Sequence, residues 1–196
     1  MKQAKYENIR NQLKTGDILL FSGKGFISWG IKRICGSKWS HVGMVIKVNG
    51  YDMVFCWEST SMSSIKDFFS KKQKNGAQTV LLSDRLRVYP GQVAVRQLKT
   101  PLKPQQINAI MQLRKECKNK PYETNKWELF CAAYDFIGGK NKKNLRSVFC
   151  SEMTAEGYIR AGLLKSKKPS NEYEPCEFAS MKLIGNELSQ EIYLKA

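Results

Sequence analysis

The stretch that most constrains this chain is Ser40 to Thr60, SHVGMVIKVNGYDMVFCWEST. It reads as two strands joined at Asn49-Gly50, because a type I′ hairpin turn needs positive φ at both central residues and Asn-Gly supplies it. With those two residues as the turn, Val48 faces Tyr51 and Lys47 meets Asp52 as an opposite-charge pair. Val42, Met44, Ile46 and Val48 then share an apolar face with Tyr51, Met53, Phe55 and Trp57. On the other face, which carries Cys56, His41 lands opposite Glu58, their Cβ atoms about 4.5–5.5 Å apart. His41 is the only histidine in the chain. A hairpin that aligns a lone imidazole with a carboxylate predicts a base and its orienter, in want of a nucleophile.

The nucleophile has to come from elsewhere in the chain, which holds six cysteines: Cys35, Cys56, Cys117, Cys131, Cys150 and Cys176. Any of them could pair with His41, so local context decides. Cys117 and Cys131 fall inside expected helices, Cys56 is too close to Glu58 in sequence, and Cys35 and Cys176 sit by loops. Cys150 follows the short apolar run Ser147-Val148-Phe149 and begins an expected helix. The unpaired N–H groups and positive dipole end of a helix lower a thiol pKa and stabilise a nearby oxyanion. With a base in reach, such a cysteine is a nucleophile. Residue types and register together point to Cys150, His41 and Glu58.

The rest of the chain reads as a β-rich first half and a helical second half, an α+β single domain over residues 1–196. Helices are expected at 2–13, 26–34, 104–118, 125–137 and 151–164, with a short one around Ile65, Phe68 and Phe69. Strands are expected at 18–21, 79–82, 92–98 and 191–194. Lys+Arg 33 against Asp+Glu 17 gives a net charge of +16, a field that attracts an anionic surface or acidic substrate. Charge alone also supports a non-enzymatic basic binding module, but no nucleic-acid motif accompanies it. The lysines are scattered through apparent loops. A polar beginning and the lack of a long apolar run predict a cytoplasmic protein with reduced thiols. No C-x-x-C pair is present, so neither a metal nor another cofactor is expected.

GDILLFSG, SHVGMVIKV, WES, KPYE and FCSEM resemble the permuted branch of the NlpC/p60 papain-like superfamily, the YiiX-like cysteine hydrolases. In that family the papain order is circularly permuted, with histidine first on a strand, an acidic residue on the next, and cysteine last at a helix start. The resemblance runs from about Thr15 to Ala179. It implies a papain-like domain, a small antiparallel sheet or barrel against a helical half. It implies Cys150 as nucleophile, His41 as general base and Glu58 as orienter, with Gly16 and Asp17 structural and Tyr122 walling the cleft. The expected activity is hydrolysis of an amide, of peptide or peptidoglycan type, through a thioester. Acyl transfer or ester cleavage on lipids, as in the related lecithin:retinol acyltransferase-like branch, is the alternative.

Overall fold

A computed structural model describes residues 2–48, 50–61, 64–118, 150–165 and 168–195. Among these residues seven strands form one sheet: β1 (Lys2–Lys5), β2 (Ile18–Ser22), β3 (His41–Ile46), β4 (Phe55–Thr60), β5 (Gly76–Leu81), β6 (Gln92–Arg96) and β7 (Ile192–Lys195). Their spatial order is β1-β7-β6-β2-β3-β4-β5. All neighbours run antiparallel except the edge pair β1 and β7. Among the described residues five α-helices accompany it: α1 (Tyr6–Ile9), α2 (Phe26–Ile34), α3 (Leu82–Val88), α4 (Pro104–Cys117) and α5 (Cys150–Arg160). The mixed α+β class is as expected.

Both faces of the sheet are apolar, and that decides what lies where. Ile18, Leu20, Val42, Met44, Ile46, Phe55 and Trp57 project to one side, under α4 and α5. Leu19, Phe21, Val45, Cys56, Val80, Val93 and Val95 project to the other, over Leu13, Leu82 and Leu86. The face of the hairpin that holds Cys56 is therefore a second core and not a polar surface. Helix α5 is buried from Cys150 to Tyr158. The hydroxyl of Tyr158 donates to the carbonyl of Gly16 at 2.6 Å, tying the helix to the entry of β2.

That entry is built as the sequence implies. Gly16 has φ +99°, and a Cβ there would come within 2.8 Å of both Leu98 and Leu102. Asp17 is fully buried; its carboxylate accepts from the amides of Lys14 and Leu98, each at 2.8 Å.

Several boundaries differ from the sequence reading. Residues 2–5 form strand β1 and not a helix, because their backbone pairs in register with Ile192–Lys195; only Tyr6–Ile9 is helical. Helix α5 stops at Arg160: Gly162 has φ +68°, and the amide of Leu163 turns back to the carbonyl of Tyr158, a glycine C-cap. The segment holding Ile65, Phe68 and Phe69 is turn, held by Asp67, which accepts from the amides of Ser70 and Thr79. Helix α3 lies where only the end of a strand was expected. The expected helix at 125–137, Cys131, Ser147–Phe149 and Tyr122 lie outside the described residues.

Candidate active site

Strands β3 and β4 do pair, but two residues out of the register that a two-residue turn would impose. Met44 pairs with Trp57, Val45 with Cys56 and Ile46 with Phe55. Val48 and Tyr51 still close a turn, amide to carbonyl at 3.2 Å, and Gly50 is left-handed at φ +86°. The ladder starts further back because other elements take the intervening groups. Asp52 pairs with Arg10 at 3.2 Å instead of Lys47, the amide of Lys47 donates to Thr15 Oγ1 at 2.9 Å, and the amide of Leu82 takes the Val54 carbonyl. Tyr51 and Met53 stand exposed, off the sheet. A slip of two keeps every side chain on its face, whereas a slip of one would have inverted the core.

Continuing this register places Glu58 opposite Gly43, and His41 one diagonal step away. The two still meet: His41 Nε2 and Glu58 Oε2 are 2.8 Å apart. Gly43 makes the diagonal possible. A Cβ at that position would lie 3.2 Å from Cys56 Sγ and from the Trp57 carbonyl, and 3.4 Å from the Glu58 Cβ. Behind the imidazole, Phe21 is its partner across β2, with ring centroids 5.1 Å apart.

Glu58 is 1% exposed, and its second oxygen is surrounded. Oε1 accepts from Gln78 Nε2 at 3.0 Å, from Arg85 Nε at 2.7 Å and from Arg85 Nη2. Gln78 faces Glu58 across β4 and β5, while Arg85 reaches in from α3 and is itself 1% exposed. Burial pushes the Glu58 carboxyl up, but Arg85 and the hydrogen bond from His41 outweigh it and hold the group at about 2. Arg85 and Gln78 were not anticipated from sequence. The spacing of Leu82, Arg85 and Leu86, which sets an arginine on a helix's buried face, was the available signal.

Cys150 opens α5 at the end of the sheet where β3 begins. It is hydrogen-bonded to His41, and its sulfur also accepts from the amides of Val42 and Ser151. Glu58 holds Nε2 of the imidazole, which leaves Nδ1 for the sulfur. Burial raises the thiol pKa, yet the adjacent imidazole and the two amides prevail and lower it. Burial likewise works against a charged His41, but Cys150 and then Glu58 lift it to about 9. Both shifts act in the direction of a thiolate–imidazolium pair, with the Glu58 carboxylate behind it. Cys56, by contrast, is fully buried and its thiol is pushed well up. His41 keeps a side-chain exposure of 17%, so the pair is reachable from outside.

A small polar group borders the pair. Ser40 Oγ lies 2.5 Å from Ser28 Oγ of α2 and accepts from the amide of Gly23 at 3.3 Å. Tyr89 hydrogen-bonds to Ser40, and its hydroxyl is held well above the usual range, first by burial and then by Glu58. Sequence reasoning did not pick out Tyr89 or Ser28.

The geometry can be compared with known proteins. A model of the permuted papain-like amidase enzymes, YaeF/YiiX, C92 family, matches residues 12–175. Among solved structures, the metalloprotein YiiX from Escherichia coli O157:H7 is similar in fold. It is 20% identical in sequence and superposes with a TM-score of 0.52, over 76% of this chain and 67% of its own. No curated protein matches the chain significantly. Among the described residues, no helix is long and apolar enough to cross a membrane.

Proposed function

Since the chain belongs to the YaeF/YiiX family of permuted papain-like amidases and is a cysteine-type hydrolase of amide bonds, we propose that Cys150 is its nucleophile, His41 its general acid–base and Glu58 the orienter. The observation that carries this reading is the continuous hydrogen-bonded line from Arg85 through Glu58 and His41 to the Cys150 sulfur. A base fixed by a third group and within reach of a thiol is the arrangement that nucleophilic catalysis requires. Family membership in an amidase class sets aside the non-enzymatic basic module.

The thiolate attacks the amide carbonyl carbon and forms a C–S bond, while the carbonyl π electrons move to oxygen. In this reading the amide of Cys150, at the start of α5, donates to that oxyanion. Collapse of the tetrahedral intermediate breaks the C–N bond, and the imidazolium of His41 gives its proton to the departing amine. Neutral His41 then takes a proton from water as the water attacks the thioester. The carboxylic acid leaves, and the thiolate–imidazolium pair is restored. Glu58 keeps one tautomer and one ring orientation through both halves. We assign the substrate as a peptide-type amide, and the +16 charge favours one that is acidic or presented on an anionic surface. The wall of the cleft from Tyr122 belongs to the same proposal.

The test is rapid acid quench of the enzyme with a panel of activated acyl amides, followed by intact-mass and peptide mapping. An acyl adduct on Cys150, absent from Cys150→Ser and from His41→Ala, is the expected result. An adduct on another thiol, or turnover that survives Cys150→Ser, would sink the assignment.

A further inference from the structure

The spacing of cysteines in sequence gives no metal motif, but the fold assembles one from distant segments. Cys35, Glu174 and Cys176 bring two sulfurs and a carboxylate oxygen within 4.8 Å of one another. The two thiols are hydrogen-bonded to each other, and Cys176 Sγ lies 3.4 Å from Glu174 Oε2. We propose that these three residues bind a thiophilic divalent cation, Zn²⁺, with water in the fourth position.

The donor set fits that ion. Zinc takes thiolate and carboxylate oxygen at about 2.3 and 2.0–2.2 Å, so a tetrahedral site holds its donors roughly 3.5–3.8 Å apart. The carboxylate–sulfur distance of 3.4 Å is already close to this, and about an ångström of side-chain movement closes the rest. Two thiolates with a carboxylate select zinc over calcium or magnesium, which prefer oxygen alone. All three residues are partly exposed, which leaves a path for the ion and room for the water.

The backbones that carry the donors are fixed. Cys35 caps α2, its amide bonded to the Ile31 carbonyl, and Gly36 then turns the chain at φ +57°. The amide of Glu174 donates to Glu177 Oε2 at 2.7 Å. Beyond it a 3₁₀ turn, Pro175–Ala179, is anchored by fully buried Phe178, whose carbonyl accepts from Arg96 Nη1 at 2.7 Å. Charge supports the reading as well. The chain has 33 basic residues for 17 acidic ones, and yet among the described residues no lysine or arginine pairs with Glu174. A carboxylate beside two thiols, with no basic side chain paired to it among the described residues, is placed for a metal. Bound there, the ion clamps α2 to the turn that packs on β2 and β3. The same helix places Ser28 against Ser40, next to His41, so the clamp steadies one wall of the cleft without touching the reacting groups.

The test uses the full chain in a Cys150→Ser background, reduced with a phosphine, so that the reactive thiol cannot contribute. Zinc retained after dialysis is counted by elemental analysis, and Co²⁺ is added as a spectroscopic substitute. One zinc per chain is expected, with a thiolate-to-cobalt charge-transfer band and tetrahedral d–d bands. Cys35→Ser and Cys176→Ser should each weaken binding at least a hundredfold and halve the charge-transfer intensity. Glu174→Gln should weaken it about tenfold and leave that band in place, in line with the loss of an outer or weaker ligand. If a serine variant does not fold, the cobalt spectrum of the Cys150→Ser parent still decides, since its intensity counts coordinated thiolates. No retained metal, binding indifferent to Cys35 and Cys176, or a Cys35–Cys176 disulfide with no zinc uptake after reduction would each overturn the proposal.

Discussion

Arg85→Met removes the guanidinium that faces Glu58 while keeping most of its volume, and the cost can be worked from the site. Arg85 and Glu58 are each 1% exposed, so neither charge has water to fall back on. Breaking a buried pair from one side costs about 3–5 kcal/mol, because the remaining charge is left uncompensated. A second route gives a similar figure. Glu58 sits at about 2 against an ordinary 4.5, which at 1.36 kcal/mol per tenfold change in acidity corresponds to about 3 kcal/mol, and Arg85 is the foremost of the groups that hold it down. The sign follows from linkage. A carboxyl depressed in the folded state contributes stability that is present above its unfolded pKa and lost as pH falls through its folded one. The parent should therefore lose this contribution between about pH 4.5 and 2, whereas the variant has little of it to lose. Urea unfolding should show the variant about 3–5 kcal/mol less stable at pH 7, with the gap narrowing as pH falls below 4.5. Adding Glu58→Gln to Arg85→Met should recover part of the loss, because the uncompensated charge is gone. A loss under about 1 kcal/mol at pH 7, the scale of an exposed pair, or a gap that ignores pH, would refute the reasoning.

Other expectations follow from the same geometry. Iodoacetamide should alkylate Cys150 faster than Cys35 or Cys176 on the acid side of an ordinary thiol pKa, and amide turnover should fall above about pH 9, where His41 gives up its proton; His41→Ala should abolish the acid-side advantage. Gly43→Ala should cost about 1–3 kcal/mol through crowding at Cys56, Trp57 and Glu58, and slow Cys150 alkylation by prising Glu58 off His41. Asp17 is raised to about 6, chiefly by burial, so its contribution is fully present below about pH 4 and lost as pH rises to 6. Denaturation midpoints should decline over that window in the parent and stay flat in Asp17→Asn.

Local chemistry in the sequence determined much of this protein. The alternation in Val42, Met44 and Ile46 against Phe55 and Trp57 assigned those residues to one face, and it survived a two-residue change of register because the period of a strand is two. Gly16-Asp17 at the entry of β2, the helix at Phe26–Ile34 and the helix opening on Cys150 were legible for similar reasons, since a glycine turn, an apolar spacing and an apolar run before a small polar residue all act within a few positions. The resemblance in SHVG and FCSE carried the choice of His41 and Cys150 further than spacing could.

What the tertiary structure alone decided are the pairings between residues far apart in the chain. The register of β3 on β4 depended on Arg10 and Thr15 drawing away Asp52 and Lys47, and no local rule contains them. Whether Lys2–Lys5 became strand or helix turned on a partner strand at the other end of the sequence. Arg85 could not be matched to Glu58 before α3 was folded against the sheet, because an arginine on a short amphipathic helix is ordinarily a surface residue. Cys35 and the Glu174–Cys176 pair are likewise distant in the chain, and the packing of the 3₁₀ turn on β2 and β3 makes them neighbours. Propensity and periodicity act along the chain; buried charge and shared ligands are set by which surfaces the core forces together.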